Sequence, residues 1–203
     1  MTCFMKFKAA LLAAGLLSGT ASYAQTKSVN DLYLDFTLAR GGNSTVRAIQ
    51  IGEEILQHPE KLSPKTQVNF YYHLAKQYEV NHQDDKAVAF YEKVVAAEPD
   101  YYVPHMALGH LYLKPVNELV SKINASKNDR AAYQKYVKQF QEVLQRSIRH
   151  LERAQACDPN EELLGRIRDL YSRLPDKSGL STLDSRLKSY SENCITVLTD
   201  DTL

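Results

Sequence analysis

The apolar residues that follow Ser28 recur every three or four positions, which is the spacing of one face of an α-helix. Leu32, Phe36 and Ala39 mark a first short helix. The apolar positions of a second helix are Val46, Ile49, Ile55 and Leu56. A strand-rich fold would show alternate apolar positions and more turn residues than the 8 glycines and 7 prolines of this chain. The pattern therefore predicts an all-α protein.

Residues 68–100 are predicted to form two amphipathic helices joined by the polar segment NHQDD. The apolar stripe of the first helix consists of Tyr71, Leu74, Ala75 and Tyr78. The stripe of the second helix consists of Ala87, Tyr91, Val94 and Val95. Because a hairpin of this size cannot bury both stripes by itself, it needs further helices on either side.

These positions resemble a tetratricopeptide repeat, a helix hairpin of 34 residues with characteristic aromatic, leucine, small and proline positions. The residues that match are Tyr71, Leu74, Ala75, Tyr78, Ala87, Tyr91 and Pro99. A second repeat starts 34 residues later and includes Leu108, Gly109, Tyr112, Leu151, Ala154 and Pro159. The resemblance covers residues 68–160. It implies a right-handed antiparallel solenoid of helix hairpins, with three to four helix pairs.

The second repeat contains an insertion, because 35 residues separate Tyr112 from Ser147 where nine separate Tyr78 from Ala87. The inserted residues, 114–145, have helical periodicity of their own. One apolar face of the insertion consists of Val116, Leu119, Val120 and Ile123. We expect this piece to fold back along a lengthened helix over residues 129–156, roughly 40 Å long.

The first 24 residues have the layout of a secretory signal peptide. Lys6 and Lys8 precede an apolar run over residues 9–17, and small residues lead to Ala24. The apolar run is too short to span a bilayer. A buried N-terminal helix is the alternative interpretation. We expect cleavage of residues 1–24 and an exported protein, periplasmic or extracellular, whose single domain covers residues 25–203 without a transmembrane segment.

Export would place Cys157 and Cys194 in a compartment where disulfides persist. A bridge between them would stabilise the fold by roughly 3 to 4 kcal/mol. Two reduced, buried cysteines are equally compatible with the sequence, because spacing along the chain does not reveal whether two cysteines meet. The sequence leaves this choice open.

Charge is distributed unevenly along the chain. The net charge is +1, and loss of Lys6 and Lys8 would leave −1, a balance that does not favour a nucleic-acid partner. Between Lys114 and Arg153 nine basic residues stand against four acidic ones, so this part carries +5 and the rest of the mature chain −6. The predicted basic patch is Lys122, Lys127, Arg130, Lys135, Lys138, Arg146, Arg149 and Arg153. It could guide an acidic partner or an anionic envelope surface, or support assembly into a homo-oligomer. It could also be an ordinary solvated helix face.

Catalytic and metal-binding motifs are not recognisable in this sequence. The six histidines include no i, i+4 pair, which is the spacing that places two zinc ligands on one helix face. The chain has no glycine-rich phosphate loop, no G-x-S-x-G and no H-E-x-x-H. We therefore expect a non-enzymatic protein without cofactor or metal, with an enzyme that has an unrecognised site as the remaining alternative.

The resemblance implies a concave groove lined by the first helix of each hairpin. The positions expected to be exposed there are Asn69, Tyr72, Lys76, Glu79, Val103, Met106 and His110. Tyr72 and Met106 lie outside the core stripes, where they could supply adaptable apolar contacts to a peptide. They could equally pack under the inserted hairpin. The sequence thus predicts a scaffold or peptide-recognition protein of the cell envelope, with a protein or peptide as its partner.

Overall fold

A computed structural model describes residues 27–42 and 44–198 of the protein. The regular elements of these residues are all helices and include no strand, so the prediction of an all-α protein is confirmed for them. The predicted signal peptide, residues 1–24, lies outside the described residues. The α-helices are α1 (Val29–Gly41), α2 (Thr45–Gln57), α3 (Pro64–Val80), α4 (Asp84–Ala97), α5 (Tyr102–Leu113), α6 (Val116–Ala125), α7 (Arg130–Cys157), α8 (Glu161–Ser172), α9 (Ser178–Ser181) and α10 (Leu183–Tyr190).

Short polar side chains determine where four of these helices begin. Ser28, Ser63, Asp129 and Asn160 precede α1, α3, α7 and α8, and each accepts a hydrogen bond from a backbone N–H two or three residues later. Pro64 occupies the first position of α3, where a missing N–H costs nothing. These caps satisfy N–H groups that a helix start otherwise leaves unpaired.

The helices pack as successive pairs in chain order. The pairs are α1 with α2, α3 with α4, and α5 with α7, and contacts from α2 to α3 and from α4 to α5 join one pair to the next. α6 lies against α7, so it is inserted between α5 and the helix with which α5 pairs. The long helix predicted over residues 129–156 is observed as α7, which has 28 residues. α8 and α10 pack against α7 and close the array.

The core consists of two groups of buried side chains. The first lies among α1 to α5, and its large, fully buried members include Phe36, Phe70, Leu74, Tyr78, Tyr91 and Leu108. The second lies among α7, α8 and α10 and includes Leu144, Leu151, Ile167 and Leu183. α5 and α7 approach each other closely at Gly109, whose carbonyl accepts a 2.7 Å hydrogen bond from the Ser147 hydroxyl.

Several residues that the sequence pattern placed in the core are exposed or only half-buried in the structure. Pro99 and Pro159 are exposed, because they lie in the loops after α4 and α7, where their effect is to end a helix rather than to pack. Tyr71 and Tyr112 are only half-buried. Val46 is 60% exposed. The other matched repeat positions are buried as expected, namely Leu74, Ala75, Tyr78, Ala87, Tyr91, Leu108, Gly109, Leu151 and Ala154.

Candidate interaction site

Two adjoining clefts lie between α5 and α8, and we call them together the trough. The larger cleft, about 510 Å³, extends to the start of α6, and the smaller one is about 220 Å³. Glu162 and Arg166 line both clefts, so the two form one continuous surface. The apolar side chains that line the trough are Met106, Leu113, Val116, Leu163 and Leu170.

Charged groups of α8 border these apolar side chains. Asp169 forms a 2.8 Å ion pair with Arg173, one turn further along the helix. Arg166 is exposed, and no ion pair or hydrogen bond joins its side chain to another described residue. Its guanidinium is therefore available to an outside carboxylate, which it could bind through two parallel N–H groups.

His110 lies in the same trough, on α5. Burial is the main cause that lowers the pKa of His110, and the positive charge of Arg166 lowers it further, while Glu79 on α3 opposes both. A basic group on α8 and an acidic group on α3 thus influence the same imidazole on α5. A neutral imidazole at this position can donate to a ligand and accept from it at the same time.

Not all of the predicted groove residues face this surface. Met106 and His110 line the trough. Asn69 and Tyr72 were expected to be exposed but are buried, at 7% and 9% exposure. The Tyr72 ring packs against Tyr101, with 5.2 Å between the ring centroids, because the turn that leads into α5 covers this part of α3.

The three other predicted groove residues do not line the trough. Lys76 is exposed and lies over the Tyr72 ring, 5.8 Å from its centroid. Glu79 accepts a 2.7 Å hydrogen bond from the Tyr91 hydroxyl. Val103 is half-buried against the first core group. Arg166 and Leu163 did not enter the predicted groove, because the sequence of α8 matches the repeat pattern too loosely to assign its faces.

The predicted basic patch is distributed over α6 and α7, and its members differ in how they are paired. Lys122 forms a 2.5 Å ion pair with Glu118. Arg153 is not part of an open surface, since it donates to the Pro99 carbonyl at 3.2 Å and stacks over the Tyr190 ring. The exposed members are Lys122, Lys127, Arg130, Lys135, Lys138, Arg146 and Arg149.

Two histidines far apart in the sequence, His105 on α5 and His150 on α7, meet in the interior. Their Nδ1 atoms are 2.8 Å apart, and Nε2 of His105 lies 3.0 Å from the Pro99 carbonyl oxygen. Because a carbonyl only accepts, His105 carries its proton on Nε2, and its Nδ1 accepts a hydrogen bond from Nδ1–H of His150. The two histidines are 45 residues apart, so the i, i+4 spacing of a single helix does not reveal a contact that joins two helices.

Burial is the main reason that this histidine pair stays neutral. It lowers the pKa of His105 to about 4 and that of His150 to about 3, and the positive charges of Arg153 and Arg149 act in the same direction. The Tyr112 ring stacks on His150 from the other side, with 5.7 Å between centroids. The pair therefore works as a neutral hydrogen-bonded link between α5 and α7.

A disulfide joins Cys157 to Cys194, with 5.5 Å between their Cα atoms. It connects the last residue of α7 to the segment that follows α10. Of the two possibilities that the sequence left open, the structure shows the bridged one.

No family model matches this chain, and neither does any curated protein or any solved structure. None of the described helices combines the length and the apolar character that crossing a membrane requires. In residues 27–42 and 44–198, no three histidine, cysteine, aspartate or glutamate side chains come together as a metal-binding group. The function of the trough must therefore be inferred from its own chemistry.

Proposed function

We propose that this protein is an exported scaffold with a tetratricopeptide-like helical solenoid, which binds a peptide segment of another protein non-covalently. The successive helix pairs support this architecture, and so do the small residues Ala75 and Gly109 at the positions where the resemblance requires them. Residues 114–145 are an insertion into one pair. The disulfide supports export, because such bonds persist in oxidising compartments outside the cytosol.

The trough is the proposed binding site. The observation that carries this assignment is the place of Arg166 in the trough, with its side chain bonded to no other residue that the structure describes. Here the guanidinium lies in the trough beside Met106, Leu113 and Val116, apolar side chains that are only half-buried. We infer a peptide ligand that places an apolar side chain on this surface and a carboxylate against Arg166.

A comparison of two arginines on α8 tests this function. Arg166 lines the trough, and Arg168 is exposed on the same helix but does not line it. Peptides selected from a random library on the wild-type protein should combine an apolar residue with an acidic one. They should bind the Arg166→Ala variant at least about tenfold more weakly, the loss of one charge-assisted contact, and the Arg168→Ala variant as tightly as the wild type. Equal binding to both variants would rule out the trough.

Assembly through the inserted hairpin is a second candidate function. At the outer end of α6 and α7, Val120 and Tyr133 are each 40% exposed. No ion pair connects the neighbouring Lys127 or Arg130 to any other residue that the structure describes. Exposed apolar side chains beside unpaired positive charges would suit contact with the acidic remainder of a second copy.

Light scattering of the purified protein tests this assembly. If the hairpin mediates it, the wild type is an oligomer, and the double variant Val120→Lys, Tyr133→Glu is a monomer. A monomeric wild type at concentrations up to the solubility limit would exclude assembly through this hairpin. The result does not depend on the trough, since neither residue lines it.

A further inference from the structure

After α10 the chain returns to the middle of the array. Residues 194–198, which we call the strap, reach the turn between α4 and α5. The Ile195 N–H donates to the Asp100 carbonyl at 2.8 Å, and the Ile195 carbonyl accepts from the Tyr102 N–H at 3.3 Å. This pair of bonds is a parallel β-bridge between Tyr101 and Ile195. Both backbone polar groups of the extended residue Ile195, its N–H and its carbonyl, are thus hydrogen-bonded to this turn.

The strap supplies a hydrogen-bond acceptor to the backbone N–H of Tyr102, the first residue of α5. α5 begins at Tyr102, and the residue before it makes no side-chain capping bond. The first N–H groups of a helix have no partner within the helix. The Ile195 carbonyl supplies the partner for the Tyr102 N–H. Any extended peptide can offer the same carbonyl and N–H, because these groups belong to the backbone.

The surface that receives the strap favours aliphatic side chains. Ile195 and Leu198 are half-buried and pack against the first core group, to which Tyr72 and Tyr101 belong. The Tyr72 ring contacts those of Tyr101 and Tyr91, with 5.2 and 6.2 Å between the centroids, so the core surface next to Tyr101 is aromatic. A β-branched aliphatic residue at the Ile195 position suits both the extended backbone and this surface.

The turn that receives the strap is held in place by other contacts. The Pro99 carbonyl accepts from Nη1 of Arg153 at 3.2 Å and from Nε2 of His105 at 3.0 Å. His105 belongs to α5, which begins at this turn, and Arg153 belongs to α7. These contacts hold the start of the turn without involving the strap. The strap itself depends on the disulfide, since Cys194 directly precedes Ile195 and is bonded to Cys157.

We propose that the turn at Asp100–Tyr102, with the aromatic surface beside it, is a second peptide site. In the oxidised protein the strap occupies this site. When the disulfide is reduced, an extended segment of a partner protein with a β-branched aliphatic residue replaces the strap. A dithiol carries out the opening step by transferring two electrons and two protons to the Cys157–Cys194 bond. This gives two cysteine thiols, while the dithiol is oxidised to its own disulfide.

The first test uses the full-length protein with the strap disabled. The open variant carries Cys157→Ser, Cys194→Ser and Ile195→Asp, so the strap has neither its bond nor its apolar side chain. The probe is a fluorescein-labelled peptide of residues 193–198 with Cys194→Ser. Its anisotropy should show saturable binding to the open variant and at least tenfold weaker binding to the oxidised wild type. A control peptide that also carries Ile195→Asp should bind the open variant at least tenfold more weakly.

Two outcomes of this test would overturn the proposal. One is the absence of peptide binding to an open variant whose circular dichroism and cooperative unfolding match those of the wild type. The other is equal binding of the peptide to the open variant and to the oxidised wild type. Adding Arg166→Ala to the open variant should leave the peptide affinity unchanged, so a failure of the trough and a failure of this site are distinguishable.

Hydrogen exchange of the Tyr102 amide gives a second measurement that needs no substitution. The amide should be protected in the oxidised wild type and should exchange at least tenfold faster after reduction with dithiothreitol. An excess of the unlabelled peptide should restore its protection. If reduction leaves the exchange rate unchanged, or if the peptide restores nothing, the site does not exist in the form proposed. This measurement decides the matter even if the open variant does not fold.

Discussion

Gly109 shows how a single residue determines the distance between two helices. A Cβ atom at this position would lie 2.6 Å from Cγ of Leu151. Leu151 is fully buried, so its side chain cannot turn towards solvent. Gly165 on α8 is the opposite case, because a Cβ atom there would meet nothing within 4 Å. The two glycines therefore make a matched pair for testing the packing of α5 against α7.

Substitution of Gly109 by alanine should destabilise the protein by about 1–3 kcal/mol, the usual cost of overpacking a core. Gly165→Ala should instead stabilise it by about 0.5–1 kcal/mol, because alanine in a helix loses less backbone entropy on folding than glycine does. Urea unfolding of the two variants measures both changes. Equal effects of the two substitutions would mean that α5 and α7 do not pack closely at Gly109.

Glu152 is a buried carboxylate with a full set of partners. It is 2% exposed and accepts hydrogen bonds from Arg186 at 2.6 and 2.9 Å and from the Tyr171 hydroxyl at 2.6 Å. These three residues belong to α7, α10 and α8, so one side chain connects three helices. A buried carboxylate keeps its charge only when it is paired in this way.

Glu152→Gln should destabilise the protein by about 2–3 kcal/mol, because the guanidinium of Arg186 loses its countercharge. The cost stays below that of a fully buried charge, since the Arg186 side chain is 27% exposed and water can solvate part of it. Glu118→Gln, which breaks the exposed pair with Lys122, is the control and should cause no measurable change. Chemical denaturation compares the two, and a similar effect of both would contradict the role given to Glu152.

At the scale of elements, the two halves of α7 have different surroundings. The half near Cys157 is buried between α5, α8 and α10, and its core positions are Leu144, Ser147, Ile148, Leu151 and Ala154. The half near Arg130 contacts α6 and exposes basic side chains. The His105–His150 bond fastens the buried half to α5.

The burial of this histidine pair should make the stability of the protein depend on pH. The two histidines have folded pKa values of about 4 and about 3, whereas an unfolded histidine titrates near 6.5. Between about pH 4 and about pH 6.5 the unfolded chain binds more protons than the folded one. The contribution of the pair to the free energy of unfolding is therefore fully present above about pH 6.5 and decreases as the pH falls. His150→Gln keeps a donor for Nδ1 of His105 but removes one titrating group.

Urea unfolding between pH 6 and 4.5 measures the effect. The slope of the unfolding free energy against pH should be smaller in the His150→Gln variant by about 1.4 kcal/mol per pH unit, the contribution of one proton. Comparing slopes at several pH values removes any constant change in stability that the substitution causes. Identical slopes in the two proteins would show that His150 is protonated in the folded state as readily as in the unfolded one.

At the scale of the whole molecule, the disulfide and the strap bring the end of the chain back to its middle. Cys157 and Cys194 are 37 residues apart and enclose α8, α9 and α10. The strap then contacts the turn between α4 and α5, which belongs to the first core group. The last helices are thereby connected to a part of the array that they do not follow in sequence.

Reduction of this disulfide should destabilise the protein by roughly 3 to 4 kcal/mol, since closing a loop of this length removes entropy from the unfolded chain. Urea unfolding with and without dithiothreitol measures the difference. The Cys157→Ser, Cys194→Ser variant should match the reduced wild type and should not respond to the reagent. Intact mass under both conditions shows whether the bond was present at the start.

The predictions made from sequence succeeded where a local pattern was sufficient. The helical period and the repeat spacing indicated the all-helical chain, the long helix α7 and most of the buried repeat positions, because these depend on residues three to 34 positions apart. The candidate site was predicted less well. Met106 and His110 line the trough, but Tyr72 and Asn69 are buried under the turn that leads into α5. The exposure of a residue on α3 depends on a segment about 30 residues further along, which periodicity does not describe.

The sequence by itself determined the class of secondary structure, the helices and the places where short polar side chains and prolines begin and end them. These features follow from propensity, capping and amphipathic spacing, all of which act within one or two helical turns. Only the tertiary structure decided the contacts between distant segments, namely the His105–His150 bond, the disulfide, the trough between α5 and α8, and the strap on the turn at Asp100. Each requires two segments to arrive at the same place, and that depends on how every helix between them packs.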